Sequence, residues 1–394
     1  MVKQVILSWP ISTSHGWGIY GLNLALNWAA DRDIELLTAY DCPDTDIDPL
    51  RASALLPFLK RSVALQADLR KYANQTATAG SLVLTGLNDG FYPLPVAHNV
   101  TLMGTATIGV TFFELGLSPA GVQNARTFPC VVVGSSWNAL VLQAYGVENV
   151  RTVHQGIDPT YFHPGPKLNF FPNRFLIFSG GKAEYRKAQD IVLATFKIFA
   201  DRHPEAVLVT SWYNPWPDSI RSLDRSELLT PVPLNSARQI NVAKWADANS
   251  VSGDRIIDLG LVPNHKMPSI LREMDVAIFP NRAEGGTNLV AMECMACGLP
   301  VVLSRNTGHR DIMIEDSCYA LEDQRQTRHG FAGHGGIPGW GESQVDELLE
   351  QLERVFHDRT EAARRGKNAA RAVGELTWRA TADRMKEIVT AHQN

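Results

Sequence analysis

The chain has 394 residues, 45% of them hydrophobic and 20% charged, with 30 glycines and 22 prolines. At roughly 150 residues per domain this makes two or three domains with sizeable cores, and excludes a lone small module, a disordered chain, a collagen and a coiled coil. With 37 Lys+Arg against 41 Asp+Glu the formal charge is -4 and no long same-sign block occurs, so no nucleic-acid partner is expected.

The first 45 residues read as strand, glycine loop, helix and strand: VKQVILSW, then GIYGLNLALNWAADR with apolar residues at helical spacing, then IELLTAY. A helix over Leu55 to Tyr72 follows, then strands Ser81 to Leu87, Val100 to Met103 and Cys130 to Val133, and a helix Ser136 to Tyr145. The longest apolar stretch, Val100 to Phe113, is about 14 residues, short of the roughly 20 a spanning helix needs, and Glu114 ends it. No transmembrane segment is expected. Met1 leads directly into an apolar strand without a signal-peptide pattern, and the five cysteines are scattered, which favours a reducing cytoplasm.

Gly156 to Phe171, with three prolines, two glycines and no periodicity, reads as a linker. The alternation then restarts with RFLIFSGG, helix Gln189 to Arg202, and strands AVLVTSW and IIDLGLV. MPSILREM, DVAIFP, NLVAMECMAC and PVVLS read as helix, strand, helix and strand, before closing helices Gln344 to Asp358 and Arg359 to His392, the second broken near Glu375 to Thr377. The pattern is two doubly wound α/β halves with parallel sheets: residues 1–163 and 164–377, with 378–394 packing back on the first. In such sheets the loops after the strands carry ligands.

Three loops stand out. GWGIYG (Gly16, Gly18, Gly21) with Asp41 about 20 residues on matches a dinucleotide fingerprint, but about six residues (Pro10 to His15) separate it from a strand ending near Trp9. A tight helix start, or a looser glycine loop facing a phosphate or sugar with His15 as a polar contact, are the other readings. SGGKAEYRKAQD places Lys182 and Lys187, with Arg186 beside them, between a strand end and a helix N-terminus, a good anion site. In NRAEGGTNLVAMECMACGLPVV, Gly285 and Gly286 let backbone approach a ligand, Thr287 or Asn288 caps the next helix, and Glu284 and Glu293 offer carboxylates to sugar hydroxyls. For Glu293 alone, a surface helix carboxylate is the plainer reading.

Taken together, the lysine loop, LGLVP and DVAIFPNRAEGGTNLVAMECMACGLPVV resemble the retaining, nucleotide-sugar-dependent glycosyltransferases of group 1 (family 4 type). The resemblance implies the GT-B fold: two Rossmann-like, doubly wound parallel-sheet domains facing a central cleft. The N-terminal domain would bind the acceptor and the C-terminal one the donor, a nucleoside-diphosphate sugar. By the same resemblance Lys187 is the diphosphate lysine, Lys182 stands where an arginine is usual, Glu293 holds ribose hydroxyls and Glu284 lies near the donor sugar. The donor set is Gly16, Gly18, Lys182, Lys187, Gly285, Gly286, Thr287, Asn288, Leu289 and Glu293. Glu114, Glu284 and Lys187 are the catalytic candidates, with His15 and Glu114 on the acceptor side. Besides Lys182, two departures mark the sequence: the glutamates are spaced E-x(8)-E where the family has E-x(7)-E, and Ala188 replaces a usual glycine.

No metal or cofactor is expected. Asp44, Asp46 and Asp48 form a D-x-D triplet in an acidic loop, which competes poorly with the lysine site as a diphosphate holder. Cys294 and Cys297 lack a second pair for zinc and read as buried helix residues. Trp212, Tyr213 and Trp216 suit packing as well as stacking. Basic residues over 354–371 and Leu55 to Lys71 read as solvated helix faces rather than a peripheral membrane surface. Two rival functions stand beside the transferase: a non-catalytic sugar-nucleotide binder, and an NAD(P)- or flavin-dependent oxidoreductase using GWGIYG and Asp41.

Overall fold

A parallel strand covered on both faces must be apolar along its length, and most strands of this chain are. In the computed structural model, which describes residues 3–40, 42, 46–327 and 339–392, the chain forms two compact α/β units. Asp41 and Asp44 lie outside the described residues.

The first unit contains β1 (Lys3–Leu7), α1 (Gly16–Trp28), β2 (Ile34–Thr38), α2 (Pro49–Leu69), β3 (Thr76–Thr78), β4 (Leu82–Gly86), β5 (Thr101–Met103), β6 (Thr107–Thr111), α3 (Pro119–Thr127), β7 (Val131–Val133), α4 (Ser136–Ala144) and β8 (Val150–Thr152). Six strands form one parallel sheet in the order β2-β1-β4-β6-β7-β8, while β3 and β5 pair separately. β4, β6 and β7 are buried at every position.

Several features of this unit differ from what the residue pattern predicts. The apolar stretch Val100 to Phe113 is two strands, because Gly104 turns the chain where an added Cβ would lie 2.3 Å from the Ser81 carbonyl oxygen. The second of them, β6, is a central strand that the sequence reading passed over. The helix expected from Leu55 begins at Pro49: Pro fits a first helical turn, and the Asp48 carboxylate accepts from the Leu50 and Arg51 amides, both at 3.0 Å. Asp48 also pairs with Arg51 at 2.7 Å, which accounts for one member of the D-x-D triplet as a helix cap.

The second unit holds β9 (Phe175–Gly180), α5 (Gln189–Arg202), β10 (Ala206–Ser211), α6 (Val242–Ala248), β11 (Ile256–Asp258), α7 (Met267–Leu271), β12 (Val276–Phe279), α8 (Leu289–Ala296), β13 (Val301–Ser304), β14 (Tyr319–Leu321), α9 (Val345–His357) and α10 (Arg359–Val373). Its parallel sheet runs β11-β10-β9-β12-β13-β14. β9, β12 and β13 are buried throughout and are neighbours at the sheet centre. The chain enters this unit between Gly156 and Ile157. Residues 157–171, expected as linker, are tied into it: Arg272 donates to the Tyr161 and His163 carbonyls, and Glu273 accepts from the Leu168 and Phe170 amides.

The last helix, α11 (Trp378–Ala391), follows a Thr377 cap and belongs to the first unit. It packs on α1, with Trp378 against Tyr20, Trp28 Nε1 donating to the Ala382 carbonyl at 3.2 Å, and Lys386 paired with Asp31 at 2.7 Å. Among the described residues no helix is long and apolar enough to cross a membrane.

In the second unit α10 rides directly on α8 through Gly366, where an added Cβ would sit 2.1 Å from the Gly298 carbonyl oxygen. In an open helix interior Gly→Ala stabilises by about 1 kcal/mol. Here we expect the reverse: Gly366→Ala should destabilise by about 1–3 kcal/mol through overpacking, read as a lower midpoint in denaturant unfolding. A raised midpoint would show that α10 does not seat on α8 in this way.

Candidate functional site

The carboxyl ends of β9, β12 and β13 carry three loops that are stitched together by buried ion pairs and hydrogen bonds. After β9, residues 181–188 form a short turn. Its 3-10 segment at Tyr185–Lys187 ends in Ala188, which adopts a left-handed φ of 59°. This is the position where the sequence has alanine in place of glycine, and an L-residue there costs roughly 1–2 kcal/mol. The alanine is fully buried, so the packing around it holds a backbone form that alanine disfavours.

That turn presents Lys187 and Arg186 to Glu284 on the loop after β12. Lys187 Nζ lies 2.6 Å from Glu284 Oε1 and Arg186 Nη1 lies 3.1 Å from Oε2, all three side chains being 10% exposed or less. Asn281 also donates to Glu284 Oε1. Burial raises the Glu284 pKa, but the charges of Lys187 and Arg186 outweigh it and bring it to about 2, so the carboxylate is ionised. Arg186 further reaches Glu184 at 2.6 Å and the Ala283 carbonyl at 3.0 Å. Lys182 is more open: it pairs with Glu184 at 3.3 Å and stands 5.0 Å above the Trp216 ring.

A second clamp lies beside this one. Arg282, 1% exposed, makes a two-pronged pair with Asp190 on α5 at 2.8 and 2.7 Å, lies over the Tyr185 ring and reaches Glu342 at 3.2 Å. Its backbone amide donates to the Arg186 carbonyl at 2.7 Å. Burial raises the Asp190 pKa, and Arg282 more than reverses this, leaving the pair charged. Planar guanidinium suits such a bidentate role.

The third loop, after β13, closes the floor. The Glu284 amide donates to Thr307 Oγ1 at 2.7 Å, and the Gly308 amide donates to the Glu284 carbonyl at 3.1 Å. Gly308 is required here: an added Cβ would fall 1.7 Å from the Gly286 carbonyl oxygen. His309 is fully buried, with Nδ1 3.1 Å from the Ser304 carbonyl and Nε2 2.9 Å from Asn288 Nδ2. A carbonyl accepts only, so Nδ1 carries the proton and Nε2 receives one from the Asn288 amide. The imidazole is therefore neutral, and burial lowers its pKa to about 4.

Asn288 sits in left-handed backbone at φ 65° and caps α8 through its oxygen, which accepts from the Ala291 amide. Its side chain thus serves both the helix cap and His309. Thr287 Oγ1 is turned inward to Met292 Sδ at 2.9 Å, and Leu289 opens α8. Glu293 lies on α8 at 4% exposure, which overturns the reading of it as a surface carboxylate. Gly285 and Gly286 are buried in the same loop.

The remaining sequence candidates lie in the first unit. His15 caps α1, its Nδ1 accepting from the Gly18 amide at 3.0 Å. Gly18 leaves room for Ser12, whose Oγ would be 1.9 Å from an added Cβ, whereas Gly16 meets nothing within 4 Å. β1 ends at Leu7, with eight residues between it and Gly16, which removes the loop further from the dinucleotide turn than the sequence implied. Glu114 follows the central strand β6. It is not the cap of α3, a role taken by Ser118.

Other motifs resolve as packing. Trp212 is buried, donating to Ser179 Oγ and meeting Trp245 edge-on, while Trp216 is half exposed over Lys182. Cys294 and Cys297 are buried on α8, and burial pushes the Cys297 thiol up to about 12. Arg364 and Arg365 pair with Glu361, as solvated helix faces do.

The neutral His309 ties this site to pH. The unfolded chain takes up a proton below the ordinary value of 6.5, whereas the folded site resists it to about 4, so its contribution is complete above pH 6.5 and is lost as pH falls toward 4. Urea unfolding between pH 7 and 4.5 should show His309→Gln losing less stability on acidification than the parent. Parallel pH profiles would contradict a buried neutral imidazole.

Against known proteins, residues 173–332 match the family described as glycosyl transferases group 1. D-inositol 3-phosphate glycosyltransferase 2 of Catenulispora acidiphila is 26% identical over 254 residues, 61% of this chain and 51% of that protein. Sulfoquinovosyl transferase of Arabidopsis thaliana is 21% identical over 266 residues, 66% of this chain and 42% of that protein. The chain thus spans about half the length of the curated relatives it matches. Among solved structures, sucrose-phosphate synthase from Thermosynechococcus elongatus superposes with a TM-score of 0.66 at 16% identity, covering 99% of this chain and 98% of that one. Anabaena HepE in complex with UDP and glucose gives 0.63 at 12% identity, covering 99% and 100%. Residues 173–332 are thus similar to the glycosyl transferases group 1 family, and the α/β fold with its two six-stranded parallel sheets is that of GT-B glycosyltransferase structures.

Proposed function

We propose that this protein is a retaining glycosyltransferase that moves a sugar from a nucleoside-diphosphate sugar to an acceptor hydroxyl. The observation that carries the reading is the buried cluster of Lys187, Arg186 and Glu284, formed by two strand-end loops inside the segment that matches the family. Strand ends of parallel sheets are where such folds bind nucleotides. Crystal structures of Anabaena HepE in complex with UDP and with UDP-glucose make a UDP-sugar the first donor to try.

The chemistry asked of the site is modest. As the glycosidic bond breaks, positive charge spreads over the sugar ring and negative charge gathers on the departing diphosphate. Lys187 and Lys182, with the amides at the start of α8, stabilise that leaving group as its charge develops, so neither metal nor cofactor is needed for this step. In this reading Glu284 holds Lys187 in place while ligand is absent and lies beside the donor sugar when it is bound. Glu293 accepts ribose hydroxyls, and Glu114 of the first unit is the acceptor-side group. The diphosphate takes the acceptor proton during attack on the same face, which gives retention. The reading places the protein in the cytoplasm, where sugar nucleotides are made available.

The lengthened E-x(8)-E loop and the prior pairing of Lys187 with Glu284 favour one second reading, a sugar-nucleotide binder without turnover. Release of nucleoside diphosphate separates the two. Incubated with UDP, GDP, ADP and dTDP sugars, the protein should release diphosphate from at least one above background. Lys187→Ala should lower that rate by roughly 100-fold or more, the scale of losing one preorganised donor. Thermal unfolding of the variant checks that it is folded. A folded variant with near-normal turnover would remove Lys187 from the leaving-group role, and binding without any release would leave the non-catalytic reading.

A further inference from the structure

At the other end of α5, about 21 Å along the helix from Gln189, a second cluster involves none of the residues used above. His203 follows the last turn of α5, and Glu353 and His357 lie four residues apart on one face of α9. His203 Nε2 is 2.8 Å from Glu353 Oε2, and His357 Nε2 is 3.5 Å from the same oxygen. One donor atom from each residue lies within 4.8 Å of the other two.

We propose that His203, Glu353 and His357 form a binding site for a divalent transition metal, Zn2+ foremost, which pins the end of α9 to the end of α5. Two imidazoles and a carboxylate are a borderline-soft donor set that suits zinc, cobalt, nickel or copper and not magnesium or calcium. In a tetrahedral zinc site, bonds of about 2.0–2.2 Å put neighbouring ligand atoms about 3.3 Å apart. The two nitrogen–oxygen separations, 2.8 and 3.5 Å, bracket that value, and the remaining nitrogen–nitrogen edge closes by moving one side chain. That side chain is His357, which is 69% exposed. The fourth position opens to water.

The surroundings fix two of the three ligands. The His203 ring packs against both Phe199 and Phe356, with ring centres 4.4 and 4.0 Å away. Its carbonyl accepts from the Ala206 amide and from Arg255, so the backbone beneath it is held too. Arg202 takes the other oxygen of Glu353, Oε1, at 3.0 Å and leaves Oε2 facing the two imidazoles. The site also lies where α5 and α9 end together, and the carbonyl ends of two helices favour a cation.

Titration calorimetry of the full-length protein without a histidine tag, using ZnCl2 alone, should show one saturable site. Co2+ in its place should give the visible absorption of a low-coordinate nitrogen–oxygen site. His357→Ala, at an exposed position, should keep the metal-free melting temperature and weaken Zn2+ binding at least about 10-fold. Zinc should raise the melting temperature of the parent protein and not of this variant. Glu353→Gln should behave likewise; if it does not fold, His357→Ala alone decides. No saturable zinc binding by the parent, or equal affinity in His357→Ala, would overturn the proposal.

Discussion

Burying a carboxylate with two cations is costly unless every charge finds its partner, and the second unit is organised around meeting that condition at Glu284. Isolated, a buried carboxylate would neutralise itself; with Lys187 and Arg186 at its two oxygens it stays ionised, with a pKa brought down to about 2. Because the partners sit on a different loop from Glu284, the pairing also fixes the loop after β9 against the loop after β12. Breaking one partner of such a cluster costs several kcal/mol, since the remaining charges stay buried. The same cluster would carry the chemistry of a diphosphate leaving group, so stability and the proposed activity share side chains.

The second clamp, Arg282 with Asp190, acts on the same two loops from beneath and shows no exposed face of its own. Its consequence is geometric: α5 begins where Asp190 is held, and Lys187 lies three residues before it. Around the clamps the backbone tolerates forms that are otherwise disfavoured, left-handed Ala188 and Asn288 and the glycine contact at Gly308. Such forms persist where the surroundings over-determine them, and here the surroundings are the ion pairs and the Asn288–His309 hydrogen bond.

Much of this was legible in the sequence, for physical reasons that differ by element. Strands such as FLIFSG and VAIF are apolar at successive positions because both faces are covered, and helices α5 and α10 carry their period openly. The short strands β3, β8 and β14 hold only three residues each, too few for any period to show. β6 was hidden inside a longer apolar run, and α3 was passed over although Ser118 and Pro119 announce its start. At the site, lysines and glutamates were readable from loop chemistry. Arg282, His309 and Asn281 were not, since their roles depend on partners 3 to 97 residues away that only the fold brings into hydrogen-bonding geometry. Arg282 stood in the quoted FPNRAE motif, and its adjacency to Glu284 was the available signal. Of the proposed zinc ligands, Glu353 and His357 stand four residues apart in the sequence, but His203 is 150 residues from Glu353 and only the fold joins it to them.

The central claim is that the loops after β9, β12 and β13 hold a nucleoside-diphosphate sugar. Binding calorimetry of the full-length protein against UDP, GDP, ADP and dTDP sugars, with NADH and FAD as comparisons, tests it most directly. The account predicts saturable one-to-one binding of at least one sugar nucleotide, weakened in Lys187→Ala and absent for NADH and FAD. Binding of NADH or FAD with no response to any sugar nucleotide would contradict it.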